Sequence, residues 1–320
     1  MLPKVRALAC GCPLDGYYNE AFHTDWGAEF RKDIVKDNTS AYLDDHGRPK
    51  LRSSIVGFLD LLGFSQSVTT AADEDSQPLL DKICNAIQDS RAYVRQILGS
   101  ESQATPAGWA IKFFSDNLVL AYAYEDSGLA PAAAAWFVIR CAQRYQLRMA
   151  LNGLFLRGGL TLGPVCLTDE IVFGKALIES YHLEERTAIV PRVLLSESLS
   201  RIILSAQEVA NGSGDPEVGN ALCRDVDGWW FVNYLQAAES NQRVDWSLIE
   251  QHKQSVLLSL SSTTRHDVLP KFGWACRYHN MYCHWHHNDP GYEDRYRVNR
   301  DDEHSLICQL KDATNSPKHG

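Results

Sequence analysis

The sequence predicts an α+β or α/β protein built around one sheet, and three observations carry that prediction. Short apolar runs of strand length, bounded by glycine, proline and polar turn residues, recur through the middle of the chain. Between them lie longer stretches whose apolar residues repeat every three or four positions. The two kinds of segment alternate as β-α-β-β-α-β-β-α-β-α-β, a mixture that packs helices against a sheet.

The opening strand is the run 54–65, apolar almost throughout except for Asp60, with Gly63 three residues later. It reads as a buried strand entering a tight loop. A lone carboxylate there must be exposed at the strand end, paired, or bound to a cation, because burying it bare is too costly. Ahead of it, residues 1–49 are polar and weakly periodic, an N-terminal arm. Cys10-Gly11-Cys12 is too tight for a zinc knuckle and reads as a turn, and the turn chemistry of 44–49 marks the boundary before the strand.

Downstream, residues 73–98 carry Leu79, Leu80, Ile83, Ile87, Val94 and Leu98 at helical spacing, and 100–108 is a loop. The runs 109–115 and 118–123 are strands joined at Asp116-Asn117, a two-residue hairpin turn. Residues 130–151 form an alanine-rich helix with a broad buried face. A strand over 155–162 has a polar break at Arg157-Gly158-Gly159, and a short strand over 170–173 leads into a helix over 174–184. Residues 188–195 read as strand, 196–209 as a helix capped by Ser196, and 229–235 as the last strand. Residues 245–288 read as helical, and the polar tail from 312 as disordered.

Composition narrows the function classes. With 320 residues, 45% hydrophobic and 22% charged, the chain is ordinary globular protein. A formal net charge of −9 leaves no basic excess to neutralise phosphates, which argues against a nucleic-acid-binding surface. The best apolar run, 130–139, is too short for a bilayer and contains Pro131, so no membrane partner is expected. Gly11, Pro13 and Asp15 interrupt what would follow a basic leader at Lys4 and Arg6. Nine cysteines without paired spacing fit reduced thiols, and the expected location is cytoplasmic.

The chemistry starts with a second carboxylate. A strand ending in Asp60 and a hairpin turn carrying Asp116 bring two carboxylates to one sheet edge if the strands are neighbours. Beside a glycine loop, such a pair suits a two-metal site for phosphoryl transfer, in which cations hold a triphosphate and stabilise the leaving pyrophosphate. Two Mg2+ or Mn2+ ions per site fit carboxylate ligands that leave room for water and phosphate oxygens. The backbone amides of Leu62, Gly63, Phe64 and Ser65 would then cradle phosphate oxygens.

At these residues the chain resembles a family. Phe58-Leu59-Asp60-Leu61-Leu62-Gly63-Phe64-Ser65 is similar to the metal-binding strand of class III nucleotidyl cyclases, and Lys112-Phe113-Phe114-Ser115-Asp116 to their second aspartate hairpin. The segment from Arg157-Gly158-Gly159 to Gly163-Pro164-Val165 resembles the strand and turn that follow, and Phe173-Gly174 the dimer-face strand. In detail the match is most similar to the pyrimidine nucleotide cyclases of bacterial Pycsar antiphage defence systems. The resemblance implies a ferredoxin-like α+β sandwich over 50–240, flanked by an N-terminal extension (1–49) and a C-terminal helical extension with a polar tail (241–320). It implies that Asp60 and Asp116 bridge two metals, that the Leu61 carbonyl completes one of them, and that UTP, or CTP, closes to a 3′,5′-cyclic monophosphate. It further implies a homodimer with sites across the interface and a cyclic-nucleotide-activated effector as downstream reader.

Departures shape the base preference. Adenylate cyclases of this family read adenine with a Lys and an Asp, and ungapped matching puts Ala110 and Ile171 at those positions. Neither forms charged hydrogen bonds, which favours a smaller base. A register shift of one puts Trp109 or Ile111 in place of Ala110, with the same outcome. The family's transition-state Asn and Arg fall near Ile178 and His182, leaving Lys175, Arg157 and Arg192 as cations for the triphosphate and Phe58, on Asp60's strand face, as a pocket wall. The alternative to an enzyme is a degenerate cyclase-fold nucleotide sensor. In the C-terminal region, Cys276, His279, Cys283 and His286 or His287 recur at helical spacing, but four ligands strung along one helix cannot wrap one ion. The expectation there is an aromatic helix, with Trp274, Tyr278, Tyr282 and Trp285 supplying the packing.

Overall fold

The computed structural model describes residues 39–101, 109–114, 116–125, 128–210, 221–262 and 266–299. The Cys10-Gly11-Cys12 turn and the polar tail lie outside them. A 3-10 turn, Thr39–Tyr42, leads in, and the buried Tyr42 hydroxyl meets Ser54 Oγ at 3.0 Å. The strand β1 (Arg52–Leu61) is followed by a turn at Gly63, whose φ of 81° is the left-handed conformation glycine adopts at little cost. The chain then enters α1 (Phe64–Thr70) and α2 (Asp73–Glu101).

The hairpin β2 (Trp109–Phe114) and β3 (Asn117–Ala123) precedes α3 (Pro131–Leu151), whose proline sits where a helix start needs no amide donor. Next come β4 (Leu156–Leu167), β5 (Val172–Phe173), α4 (Lys175–Arg186), β6 (Val193–Leu195) and α5 (Glu197–Ala210). The Ser196 hydroxyl accepts from the Leu199 amide at 3.2 Å, the N-cap bond expected there. Beyond lie β7 (Leu222–Arg224), β8 (Trp230–Val232), the small ribbon β9 (Glu239–Ser240) and β10 (Arg243–Val244), and the helices α6 (Trp246–Ser262) and α7 (Leu269–Trp285).

The main sheet runs β2-β3-β1-β4-β6-β8-β7, with β5 paired to β4. Its first four strands are antiparallel neighbours, and with the intervening helices they make the ferredoxin-like split βαβ arrangement. The fold is therefore α+β. Alternation along β1 divides its side chains between two layers: Ile55 and Leu59 join the core under α3, and Leu61 the one under α2. Val56 joins Ala110, Val119, Val165 and Ala176 on the α4 side. Asp60 falls on that same α4 side by the period of two.

Several elements differ from the sequence reading. The hairpin turn is displaced by one residue, because Asn117 pairs with Phe114 and belongs to β3. The seven residues of α1 hold only Phe64 and Val68 as apolar positions, too few to announce a helix by their period. The run 188–195 supplies only three strand residues, since the chain folds back on itself through Ile189 N–H to Thr187 O and Arg192 N–H to Val190 O. After Val232 the run 229–235 leaves the sheet for a 3-10 turn, Tyr234–Ala238.

Trp274, Tyr278 and Tyr282 of α7 pack on the domain as expected, with Trp274 and Tyr278 stacked at 5.3 Å and both set edge-on to Phe231, whereas Trp285 is exposed. Its histidine belongs to a buried chain of hydrogen bonds. Tyr234 O–H meets His252 Nε2 at 2.8 Å, the His252 and His279 Nδ1 atoms are 3.0 Å apart, and His279 Nε2 is 2.8 Å from the Tyr296 carbonyl. The carbonyl only accepts, so His279 Nε2 carries its proton, His252 Nδ1 donates to the bare His279 Nδ1, and Tyr234 donates to His252. Both rings are thereby neutral and fully partnered. Among the described residues no group of three or more His, Cys, Asp or Glu side chains is placed to hold a metal, and no helix is long and apolar enough to cross a membrane.

Candidate functional site

Strand pairing assembles the site. Asp60 lies across from Asn117 on one side and from Arg157 on the other, at the end of β1 where both neighbouring strands also end or begin. The Leu61 amide donates to the Asp116 carbonyl at 3.2 Å. The N–H and C=O of one strand residue point the same way, so the Leu61 carbonyl also faces the Asp116 side. The Asp116 carboxylate lies near enough to Asp60 for its charge to act on the Asp60 carboxyl, and Asp116 Oδ1 accepts from Asn117 Nδ2 at 3.1 Å.

Electrostatics set the character of this edge. Asp60 is 8% exposed, and burial is the main force raising its carboxyl above the usual range. The Arg157 guanidinium opposes this, with Nε 2.8 Å from Asp60 Oδ2, while the charge of Asp116 adds to the rise. Arg157 Nη2 also stands 2.8 Å from Oε1 of the buried Glu184, an ion pair made without hydrogen-bond alignment. Burial pushes Glu184 up to about 7; Arg157 pulls it down, and Asp60, Glu185 and Asp116 push it further up. Two carboxyl groups, those of Asp60 and Glu184, thus share one guanidinium, with the charge of Asp116 acting on both.

No family model and no curated protein sequence matches this chain. Among solved structures it is similar to the adenylyl cyclase CyaB from P. aeruginosa, at 14% identity over 57% of this chain and 94% of that one, with a TM-score of 0.39. It is similar to the guanylyl cyclase domain of the RhoGC fusion protein from the aquatic fungus Blastocladiella emersonii, at 16% identity over 57% and 95% of the two chains, with a TM-score of 0.39. A bacterial light-regulated adenylyl cyclase is similar at 14% identity over 65% and 100%, with a TM-score of 0.35. Likenesses at this level carry no weight for chemistry, which rests on the residues themselves.

The donor set fits divalent cations. Two adjacent carboxylates and a backbone carbonyl on the same side are oxygen ligands throughout, the preference of Mg2+ and Mn2+. Phe58 shares the α4-facing side with Asp60 and meets Tyr181 edge-on at 5.4 Å. The phosphate-loop expectation needs correction at Leu62, whose amide is spent on the Phe155 carbonyl at 2.8 Å. Gly63 makes the turn, and the amides of Phe64 and Ser65 open the first turn of α1, where a helix leaves its donors without internal partners.

Three further expectations are corrected. Ala110 is 0% exposed in the core with Tyr42 and Val165, so it cannot wall a nucleotide pocket. The cation of β2 is Lys112, two residues on and on Asp60's face, whose Nζ donates to the carbonyls of Thr168, at 3.0 Å, and of Asp169. The strand therefore does not lack a lysine, and the exposed Ile171 sits in the turn that this lysine grips. Arg192 is buried and paired with Asp225 and Asp227, while Trp274 Nε1 shares Asp225 at 2.8 Å; it is a structural ion pair away from Asp60. Lys175 opens α4 exposed, nine residues before Glu184, which is about 13 Å along the helix.

Glu184 and Lys112 are the charged residues that the sequence reading passed over. Lys112 stood inside the quoted hairpin motif and needed only the strand register. Glu184 looked like one acid among several at the end of α4.

Proposed function

We propose that this protein is a nucleotide cyclase. The 3′-hydroxyl of a nucleoside triphosphate attacks its own α-phosphorus, the bond from the α-phosphorus to the bridging oxygen breaks, and pyrophosphate leaves with that electron pair. The adjacency of Asp60 and Asp116, joined by the Leu61 carbonyl on the same side, carries this reading. Two Mg2+ or Mn2+ ions held there would supply charge to the triphosphate and acidify the attacking hydroxyl. The chain's own part is to fix the carboxylates by strand register and to offer the amides of Phe64 and Ser65.

The finer reading is a pyrimidine substrate, UTP ahead of CTP, whose cyclic product a cyclic-nucleotide-activated effector reads in antiphage defence. It rests on the resemblance of the motif set, since the missing-lysine support falls with Lys112. A homodimer with sites across its interface completes the reading, and the exposed apolar side chains of Ile171, Phe173 and Ile178 around β5 and α4 support it. Incubation with Mn2+ and all four nucleoside triphosphates, followed by mass spectrometry, is expected to give cyclic UMP. Predominant cyclic AMP refutes the pyrimidine reading alone. Triphosphate binding without any cyclic product refutes the enzyme and leaves a nucleotide sensor, which Ile178 and His182 at the transition-state positions would fit.

A further inference from the structure

A carboxylate that bridges two cations offers one oxygen to each, and here Arg157 Nε already stands 2.8 Å from Asp60 Oδ2. The guanidinium carries its charge at any working pH, so it and a cation compete for the same oxygen. Its other end, Nη2, lies 2.8 Å from Glu184 Oε1. Glu184 is buried on α4 and cannot follow the guanidinium into water.

We propose that Arg157 is the resident counter-ion of Asp60, yielding Oδ2 to an incoming divalent cation, and that Glu184 is the positioning residue that keeps the released guanidinium at the edge of the site. The inference rests on the two-metal reading above. A guanidinium turned away from Asp60 without Glu184 would be a partly buried charge with no partner, a costly arrangement that would hold it on Asp60. Glu184 therefore eases the exchange by already holding one end of the group. Arg157 accordingly serves the metal carboxylate, where the sequence reading had it serve the triphosphate.

The test is calorimetric titration of Mn2+ into the full chain with 3′-deoxyuridine triphosphate, which lacks the attacking hydroxyl, and again without nucleotide. Removing one charged hydrogen bond that competes for Oδ2 should tighten Mn2+ binding about tenfold in Arg157→Gln. Glu184→Gln should weaken it severalfold, and the double variant should match Arg157→Gln, because Glu184 acts only through the guanidinium. A purely structural Glu184 would instead keep its effect in the absence of Arg157. Arg157→Gln alone leaves the buried Glu184 without its partner, so the double variant, which removes both members of the pair, carries the test if the single one unfolds. Mn2+ binding that needs Asp116 but is indifferent to Arg157 overturns this proposal alone. Failure of the wild type to bind Mn2+, or binding that Asp116→Asn leaves unchanged, overturns the metal assignment and this proposal with it.

Discussion

Gly159 and Leu183 touch backbone to side chain: a Cβ placed on Gly159 would lie 2.4 Å from Leu183 Cβ and 2.7 Å from the Ser180 carbonyl. The helix α4 thus rests directly on β4, and this contact sets the height of Glu184, the next residue, above Arg157. Gly159→Ala must lift the helix. We expect a loss of about 1–3 kcal/mol of stability from such overpacking. Turnover should fall further than the stability loss explains, because the Glu184–Arg157 pair opens. Urea unfolding and initial rates on the same preparation check both.

Much of this was legible in the residues, and the rest was hidden for identifiable reasons. Asp60 stood out because a strand-length apolar run admits one carboxylate, and the hairpin of Asp116 was announced by two apolar runs around a polar dipeptide. Their adjacency needed the pairing of Asp60 with Asn117, which no local pattern encodes. Glu184 and Arg157 belong to different elements and meet only because α4 crosses β4 at Gly159. Arg192 looked like a free cation until Asp225 and Asp227 closed on it from a distant loop.

Glu184 makes stability depend on pH in a direction unusual for an acid. Its carboxyl, ordinarily near 4.5, is raised to about 7. Between those values the folded chain holds a proton that the unfolded chain releases, so the contribution of Glu184 to stability falls as pH rises from 4.5 to 7 and is flat above. The fall is at most about 3 kcal/mol. Glu184→Gln should abolish this contribution, which urea midpoints at pH 5 and pH 7.5 will register as a gain at the higher pH relative to the wild type.

The buried histidines work the other way. Burial, with a smaller contribution from the charge of Lys253, brings His279 down to about 4 against its hydrogen bond to Tyr296, and His252 is lowered as well. The unfolded chain binds protons near 6.5 that the folded chain refuses, so stability is lost as pH falls from 6.5 toward 4. A glutamine at 279 can accept from His252 and donate to the Tyr296 carbonyl without titrating. His279→Gln should therefore reduce the acid limb of a melting-temperature profile to the part that His252 contributes.

Arg192 gives a direct check on its reassignment. Arg192→Met removes the counter-charge of Asp225 and Asp227 while leaving Asp60 and Asp116 untouched. Breaking one side of such a pair costs about 3 kcal/mol. The variant should melt earlier yet bind 3′-deoxyuridine triphosphate with wild-type affinity below its transition. Weakened triphosphate binding in the folded variant would restore Arg192 to the site.

Phe173 and Ile178 are 61% and 54% exposed, one on β5 and one on the outer side of α4, where an isolated chain would leave them in water. Burying each in an interface contributes roughly 1.5–3 kcal/mol, enough together to hold a dimer when set in a complementary surface. A charge in their place removes that gain and must be desolvated on association. Ile178→Glu should therefore shift sedimentation toward the monomer without altering the far-ultraviolet circular dichroism. If each site is built across the interface, cyclase activity should fall with the dimer fraction and recover as protein concentration is raised. A variant that is monomeric and fully active would show that one chain holds a complete site.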